Sequence, residues 1–331
     1  MTRDLAGFAD ALESSLAGTV RREWPLAKLT TYRLGGPAAI YAEPADVADL
    51  RGLGRALRDA APPGLPVLTV GRGSNLVVSD RGWPGLVIRL APTRWSWIEP
   101  LEDFPALAEH EGPGLVAGAA TPLPLLANWA ARRGLAGLEF LIAIPGSVGG
   151  AVRMNAGAHG SELSDRLAVV RVFRAATLET GFQTSADLAL AYRGSNLGDH
   201  DIVLYAAFAL TEDEAERVRG RMEEYRRHRA ETQPGAVQNA GSVFKNPPGD
   251  HAGRLVDEAG LKGLHVGGAA VSTLHANFFI AGQGARAQNV FDLVHEVRAR
   301  VRERFGVELT PEITFAGAFE SRSGAPQGDR S

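Results

Sequence analysis

The chain has no cysteine among its 331 residues. That excludes disulfides, thiolate metal sites, a Cys nucleophile and any cofactor attached through sulfur, and it fits a reducing compartment. It also lacks a strong charge of either sign: 35 Lys and Arg stand against 38 Asp and Glu, a formal net charge of −3. The cations are scattered, so neither nucleic acid nor an anionic membrane is expected as a partner. No apolar run is long enough to span a bilayer, the longest being broken by Glu139, Pro145 or Tyr205. The opening residues, Met1-Thr2-Arg3-Asp4-Leu5, mix charge with apolar side chains and do not read as a signal peptide, so a cytoplasmic location is expected. The eight histidines fall at no metal-ligand spacing, and no metal is expected.

What the chain does have is glycine, concentrated at residues 137–160. There an apolar lead, residues 140–144, stops at Pro145 and opens into Gly146, Gly149, Gly150, Gly157 and Gly160, with Ser147, Ala151, Ala156 and Ala158 around them. Glycine lets successive N–H groups face an anion, so one reading is a wrapped phosphate-bearing ligand. The other is a buried turn that lets two elements pack closely. A second glycine loop, Gly71-Arg72-Gly73-Ser74-Asn75, follows the apolar run 66–70 and precedes Leu76-Val77-Val78. It lacks the third glycine and the following helix of a dinucleotide fingerprint, and reads as a strand–loop–strand phosphate cradle.

The length allows two or three domains. Periodicity predicts helices over 5–20, 45–60, 211–229, 254–259 and 288–305, and strands over 39–42, 66–70, 76–78, 85–90, 115–119, 169–173, 202–205, 276–281 and 307–315. Residues 21–31 read as an extended lead, and residues 91–112 as an irregular connection or edge strands. Thr121 with Pro122 reads as a helix start whose Leu125, Leu126 and Trp129 face inward until Gly134. Thr211 and Glu214 have the spacing of a capping box. Domain boundaries are expected at residues 1–29 (helix and lead), 30–211, 212–317 and 318–331, the last a disordered tail.

Three polar residues stand out: Arg193 between an apolar run and a glycine, Ser242 between glycine and large apolar residues, and Glu312 inside a β run. Taken singly, each has an ordinary alternative as a turn residue, a capping hydroxyl or the outward member of a strand.

Taken together, the motifs resemble the UDP-N-acetylenolpyruvoylglucosamine reductase family over residues 30–317. The resemblance rests on Thr31-Tyr32-Arg33-Leu34-Gly35-Gly36, residues 71–76, residues 144–150, Met154-Asn155-Ala156-Gly157-Ala158, Tyr192-Arg193 with Ser195, residues 241–247, residues 259–263 and Pro311-Glu312-Ile313. It implies an α+β fold: a two-lobed FAD-binding domain of the vanillyl-alcohol-oxidase (PCMH) type at 30–211 and a smaller α+β substrate-binding domain. It also implies non-covalent FAD, with NADPH reducing the flavin and a UDP-sugar substrate replacing it, in peptidoglycan synthesis. The cofactor residues it implies are Gly71, Arg72, Gly73, Ser74, Asn75, Leu76, Ile144, Pro145, Gly146, Gly149, Gly150, Asn155, Gly157 and Ala158. Arg193 would hold developing carboxylate charge, Ser242 would be the proton donor, and Glu312 would be the third catalytic residue, protonated or bonded to substrate through a donor. Tyr192, Lys245, Asn246 and Asn277 are the expected substrate contacts, and a monomer is expected. Only one helix lies between Arg193 and Ser242, so the chain is similar to the branch that lacks the extra tyrosine loop. A flavin oxidase of the same superfamily and a non-catalytic nucleotide-binding module remain as rival readings.

Overall fold

The computed structural model describes residues 3–104, 107, 112–235 and 237–320. By packing, the chain divides into two compact units: residues 1–24, 38–73 and 84–232 form unit 1, and residues 25–37, 74–83 and 233–331 form unit 2.

Unit 1 carries two sheets over one large apolar core. The first orders its strands Thr19–Pro25, Pro37–Glu43, Trp83–Ile88 and Val67–Thr69, the last two parallel. Helix Val47–Asp59 starts at Asp46, whose carboxylate accepts the Asp49 N–H, as a polar N-cap should. The helix expected over 5–20 ends instead at Ser15, and a strand begins at Thr19. The buried Asp49 carboxylate explains the stop: it accepts the N–H groups of Ala17, Gly18 and Ala45 at 2.8–2.9 Å. A Cβ at Gly18 would lie 2.1 Å from the Glu43 carbonyl oxygen, so only glycine lets the chain turn there.

The second sheet is antiparallel throughout, in the order Glu179–Thr184, Leu167–Arg174, Asp201–Ala209, Gly114–Gly118, Ile98–Pro100. Helix Leu123–Arg132 has Pro122 at its N-cap with no side-chain bond, because the Thr121 hydroxyl donates to the Trp97 carbonyl instead. Leu126 is buried as expected, but Leu125 is 45% exposed. The capping box does not form: Thr211 lies in a strand paired with Ala136, and the helix starts at Ala215. That helix, Ala215–Thr232, buries Val218 and Met222 in the core of unit 1. Arg221 bonds the Glu139 and Asp213 carboxylates at 2.6 and 2.8 Å, which ties the helix to the turn Glu139–Ala143. Packing therefore draws its line after the helix, at Thr232, rather than before it near 211.

Unit 2 packs helix Ala287–Phe305 and helix Ala252–Glu258 against strands His265–Val266, Ala269–Val271 and Phe279–Ala281. The first two of those strands have no counterpart in the sequence reading, being too short to show a period. Strand Leu76–Val78 pairs in parallel with Thr314–Ala316. It is thus not the partner of the strand that precedes the glycine loop. The long closing strand contracts to these three residues, with an isolated bridge between Phe244 and Pro311 upstream. Residues 318–320, expected in a disordered tail, are held: Ser79 Oγ donates to the Ala318 carbonyl, Phe319 stacks on Phe291, and Glu320 bonds Gln288. The remainder of that tail, residues 321–331, lies outside the described residues.

Among the described residues no helix is long and apolar enough to cross a membrane, and no group of three His, Asp or Glu could hold a metal ion.

Candidate active site

Unit 1 contains a cavity of about 180 Å³. Its walls are the strand end Thr69-Val70, the loop Gly71-Arg72, the apolar side chains of Leu90, Pro92, Ile202 and Val203, and the start of helix Val148–Met154 at Ser147, Gly149 and Gly150. The central glycine stretch is therefore partly helical. Gly149 packs closely: its N–H donates to the Ala119 carbonyl at 2.9 Å, and an added Cβ would crowd the Ala119 Cβ at 3.1 Å. Gly71 is similarly confined, with a Cβ landing 2.6 Å from the Ser147 hydroxyl oxygen. Main chain, small residues and cations thus meet an apolar wall. That donor set fits one phosphate-bearing part of a dinucleotide such as FAD, since pockets for whole ligands run to roughly 300–1,000 Å³.

The cations are Arg72, Arg89 and Arg153. Sequence reasoning passed over Arg153, although it stands within the glycine stretch. Its guanidinium donates to the carbonyls of Leu197, Gly198 and Asp201, and burial lowers its pKa against the pull of Asp199 and Asp201. Arg89, also unanticipated, pairs with Glu43 at 3.4 Å.

Of the expected cofactor residues, Gly71, Arg72, Gly149 and Gly150 line this cavity, and Gly73, Ile144, Pro145, Gly146, Asn155, Gly157 and Ala158 do not. Ser74, Asn75 and Leu76 belong to unit 2. Gly157 and Ala158 pair with Glu162 and Ser161 as a small hairpin. Asn155 ends the preceding helix in the left-handed region, φ +40°, where asparagine is tolerated.

Arg193 lies in unit 1, half-buried, with φ +58°. Its Nη2 donates to the Gly157 carbonyl at 2.9 Å, and its guanidinium carbon stands 4.9 Å from the centre of the Tyr192 ring, which is 46% exposed. A cation whose fork is fixed against a glycine hairpin is aimed rather than loose.

Unit 2 brings Ser242 and Glu312 together. The Glu312 N–H donates to the Val243 carbonyl at 2.7 Å, and the Lys245 N–H donates to the Thr310 carbonyl at 2.9 Å. The segments 242–246 and 310–312 are therefore bonded side by side, with both Ser242 and Glu312 half-buried. Asn277, expected at the substrate, is 4% exposed: its Oδ1 accepts the Phe244 N–H and its Nδ2 donates to the Phe244 carbonyl. Asn246 Oδ1 accepts the Ala252 N–H at the start of helix Ala252–Glu258.

Comparison with known proteins accounts for both units. Residues 38–177 match the family model described as FAD binding domain, and residues 233–316 match UDP-N-acetylenolpyruvoylglucosamine reductase, C-terminal domain. UDP-N-acetylenolpyruvoylglucosamine reductase 2 of Symbiobacterium thermophilum is 43% identical over 95% of this chain and 98% of its own length. The corresponding reductase of Rubrobacter xylanophilus is 42% identical over 91% and 98%. The crystal structure of UDP-N-acetylenolpyruvylglucosamine reductase from Thermus caldophilus superposes with a TM-score of 0.75 at 39% identity, covering 91% of this chain and all of that one. On identity of this extent, and with both family models matched, the chain belongs to the UDP-N-acetylenolpyruvoylglucosamine reductase family, flavin-dependent oxidoreductases, with an FAD-binding domain followed by the C-terminal domain of that reductase.

Proposed function

We propose that this chain reduces the enolpyruvyl group of UDP-N-acetylenolpyruvoylglucosamine to UDP-N-acetylmuramate in peptidoglycan precursor synthesis, with NADPH as reductant and FAD as non-covalent carrier. The 43% identity that spans 98% of a curated reductase carries the reading. FAD, when bound, passes the electrons of NADPH to the substrate as hydride.

The chain's own residues do the rest. Gly71, Gly149 and Gly150 let the cofactor approach the main chain, and Arg72, Arg89 and Arg153 offset its phosphate charge. Hydride arriving at the substrate's β-carbon drives negative charge through the α-carbon into the carboxylate. Arg193 holds that charge with a permanently ionised, pre-aimed fork, and such preorganised electrostatics is commonly a large share of catalysis. Ser242 then gives its hydroxyl proton to the α-carbon, and Glu312, bonded beside it through the Val243 carbonyl, engages the substrate through a hydrogen-bond donor. Tyr192, Lys245 and Asn246 contact the rest of the sugar nucleotide.

The near-neutral charge supports a reading without nucleic-acid or membrane partners, and the lack of cysteine supports a cytoplasmic location. The test is the visible spectrum of the purified protein. Yellow absorbance should bleach with NADPH under anaerobic conditions and return when the enolpyruvyl sugar nucleotide is added. A chain that takes up FAD but does not bleach, or bleaches and does not recover with that substrate, is not this reductase.

A further inference from the structure

Three asparagines in this chain have amides directed at main chain beside the three proposed catalytic residues. Asn277, 4% exposed, closes on both sides of Phe244, with Phe244 N–H to Oδ1 and Nδ2 to the Phe244 carbonyl each at 2.9 Å. Its own carbonyl accepts the Val243 N–H at 2.8 Å. Two residues away from that clamp stands Ser242. Asn155, 1% exposed, donates Nδ2 to the Ala191 carbonyl at 3.2 Å and to Glu162 Oε2 at 2.9 Å, while its Oδ1 accepts the Ser164 N–H at 3.0 Å. Ala191 and Gly194 exchange both main-chain bonds around Arg193, whose positive φ is a strained conformation that its surroundings must hold. Asn75 donates Nδ2 to the Glu312 carbonyl at 2.9 Å, and its own carbonyl accepts the Thr314 N–H at 2.9 Å.

We infer that Asn75, Asn155 and Asn277 are positioning residues, each fixing the main chain that carries Glu312, Arg193 and Ser242 respectively, and that the buried Asn155 and Asn277, whose amides are used at both ends, are not contacts to FAD or substrate. At Asn155 and Asn277 a carboxamide suits the task because a short stem offers donor and acceptor together, so it can satisfy a C=O and an N–H that no aliphatic or carboxylate side chain could serve at once; at Asn75 the side chain supplies the donor alone. The inference deepens the proposed function and rests on its assignment of the three catalytic residues.

Asn→Asp at each position keeps shape and acceptor but removes the donor; Asn→Ala removes both. Three readouts separate the roles: FAD content of the purified protein, its bleaching rate with NADPH, and its recovery rate at saturating enolpyruvyl substrate. Misplacing a reacting group by about 1 Å costs on the order of 10²-fold. The expected result is full FAD content, bleaching within about twofold of the parent, and recovery slowed by about 10- to 100-fold. FAD loss from N155D would assign that residue to the cofactor and overturn the inference, and normal recovery in N75D would overturn the part of Asn75. So would N277D needing more substrate at an unchanged limiting rate. In the FAD-loaded protein, N277A should speed amide hydrogen exchange across residues 242–246 while helix Ala287–Phe305 stays protected; equal loosening of both makes Asn277 a general structural residue and overturns its part. S242A separates the two levels: full recovery in S242A removes the catalytic reading itself, whereas slow S242A with normal asparagine variants removes only the positioning.

Discussion

The cavity of unit 1 and the Ser242–Glu312 pair of unit 2 are built by opposite means. The cavity exists because side chains are missing: Gly149 sits where a Cβ would press on Ala119, and Gly71 where one would press on Ser147. The pair exists because side chains are added, with Asn277 and Asn75 bonding the main chain on either side of it. A phosphate needs N–H groups brought close, which glycine allows at an entropic cost; a proton donor needs one atom held still, which takes directed hydrogen bonds.

The contrast can be broken by experiment. The largest effect is expected from Ser242→Ala, which should slow product formation by about 10²–10⁴-fold while FAD content and bleaching by NADPH stay normal. Full turnover in that variant would take Ser242 out of the chemistry. Gly149→Val should do the reverse: overpacking against Ala119 and Val203 costs about 1–3 kcal/mol, so FAD uptake should weaken by roughly one to two decades, measured by titrating the FAD-free chain. Unchanged affinity there would mean that the cavity is not the cofactor's.

Two aspartates extend the comparison to stability. Asp49 is buried and serves three N–H groups in unit 1, so Asp49→Ala should lower unfolding stability by about 3 kcal/mol. In unit 2 the half-buried Asp80 accepts the Ala287 and Gln288 N–H groups at a helix start, and Asp80→Ala should cost about 1 kcal/mol, as capping residues do. Denaturant melts yielding the opposite order would refute the burial argument.

The smallest effect is a pH dependence in unit 1. His159 stacks on Tyr225 at 4.2 Å and meets His228 edge-on at 5.3 Å. Burial lowers its pKa, and repulsion from His228 and Arg229 adds to the shift. The unfolded chain therefore takes up this proton at a higher pH than the folded one. The stacking is fully effective above the ordinary histidine value of about 6.5 and weakens as pH falls through it toward the lowered folded value. His228→Gln should raise the His159 pKa in an NMR titration; no change would leave burial and Arg229 as the causes.

Much of the fold could be read from residues 45–60 and 288–305, where apolar spacing and capping agree, and from Val169-Val170-Arg171-Val172-Phe173, whose strand pairs on both edges. Local signals misled where tertiary partners competed for the same group. Thr121 bonds Trp97 instead of a helix end, Thr211 pairs with Ala136, and Asp49, reached from 31 and 32 residues away, stops the first helix. Of the site, the glycine loops were visible as a pattern, and the candidates Arg193, Ser242 and Glu312 gained weight only when the separate motifs were read together. Arg89 and Arg153 were not visible, because an arginine in a strand or a short helix carries no mark of what it will face.

The sequence by itself determined the chemistry on offer: glycine where main chain must come close, no thiol, and a cation, a hydroxyl and a carboxylate in segments otherwise poor in charge. Folding decided which of these meet. The Val243 carbonyl reaches the Glu312 N–H, and Asn75 reaches the Glu312 carbonyl across 237 residues, because hydrogen bonds act over about 3 Å in space whatever the separation along the chain.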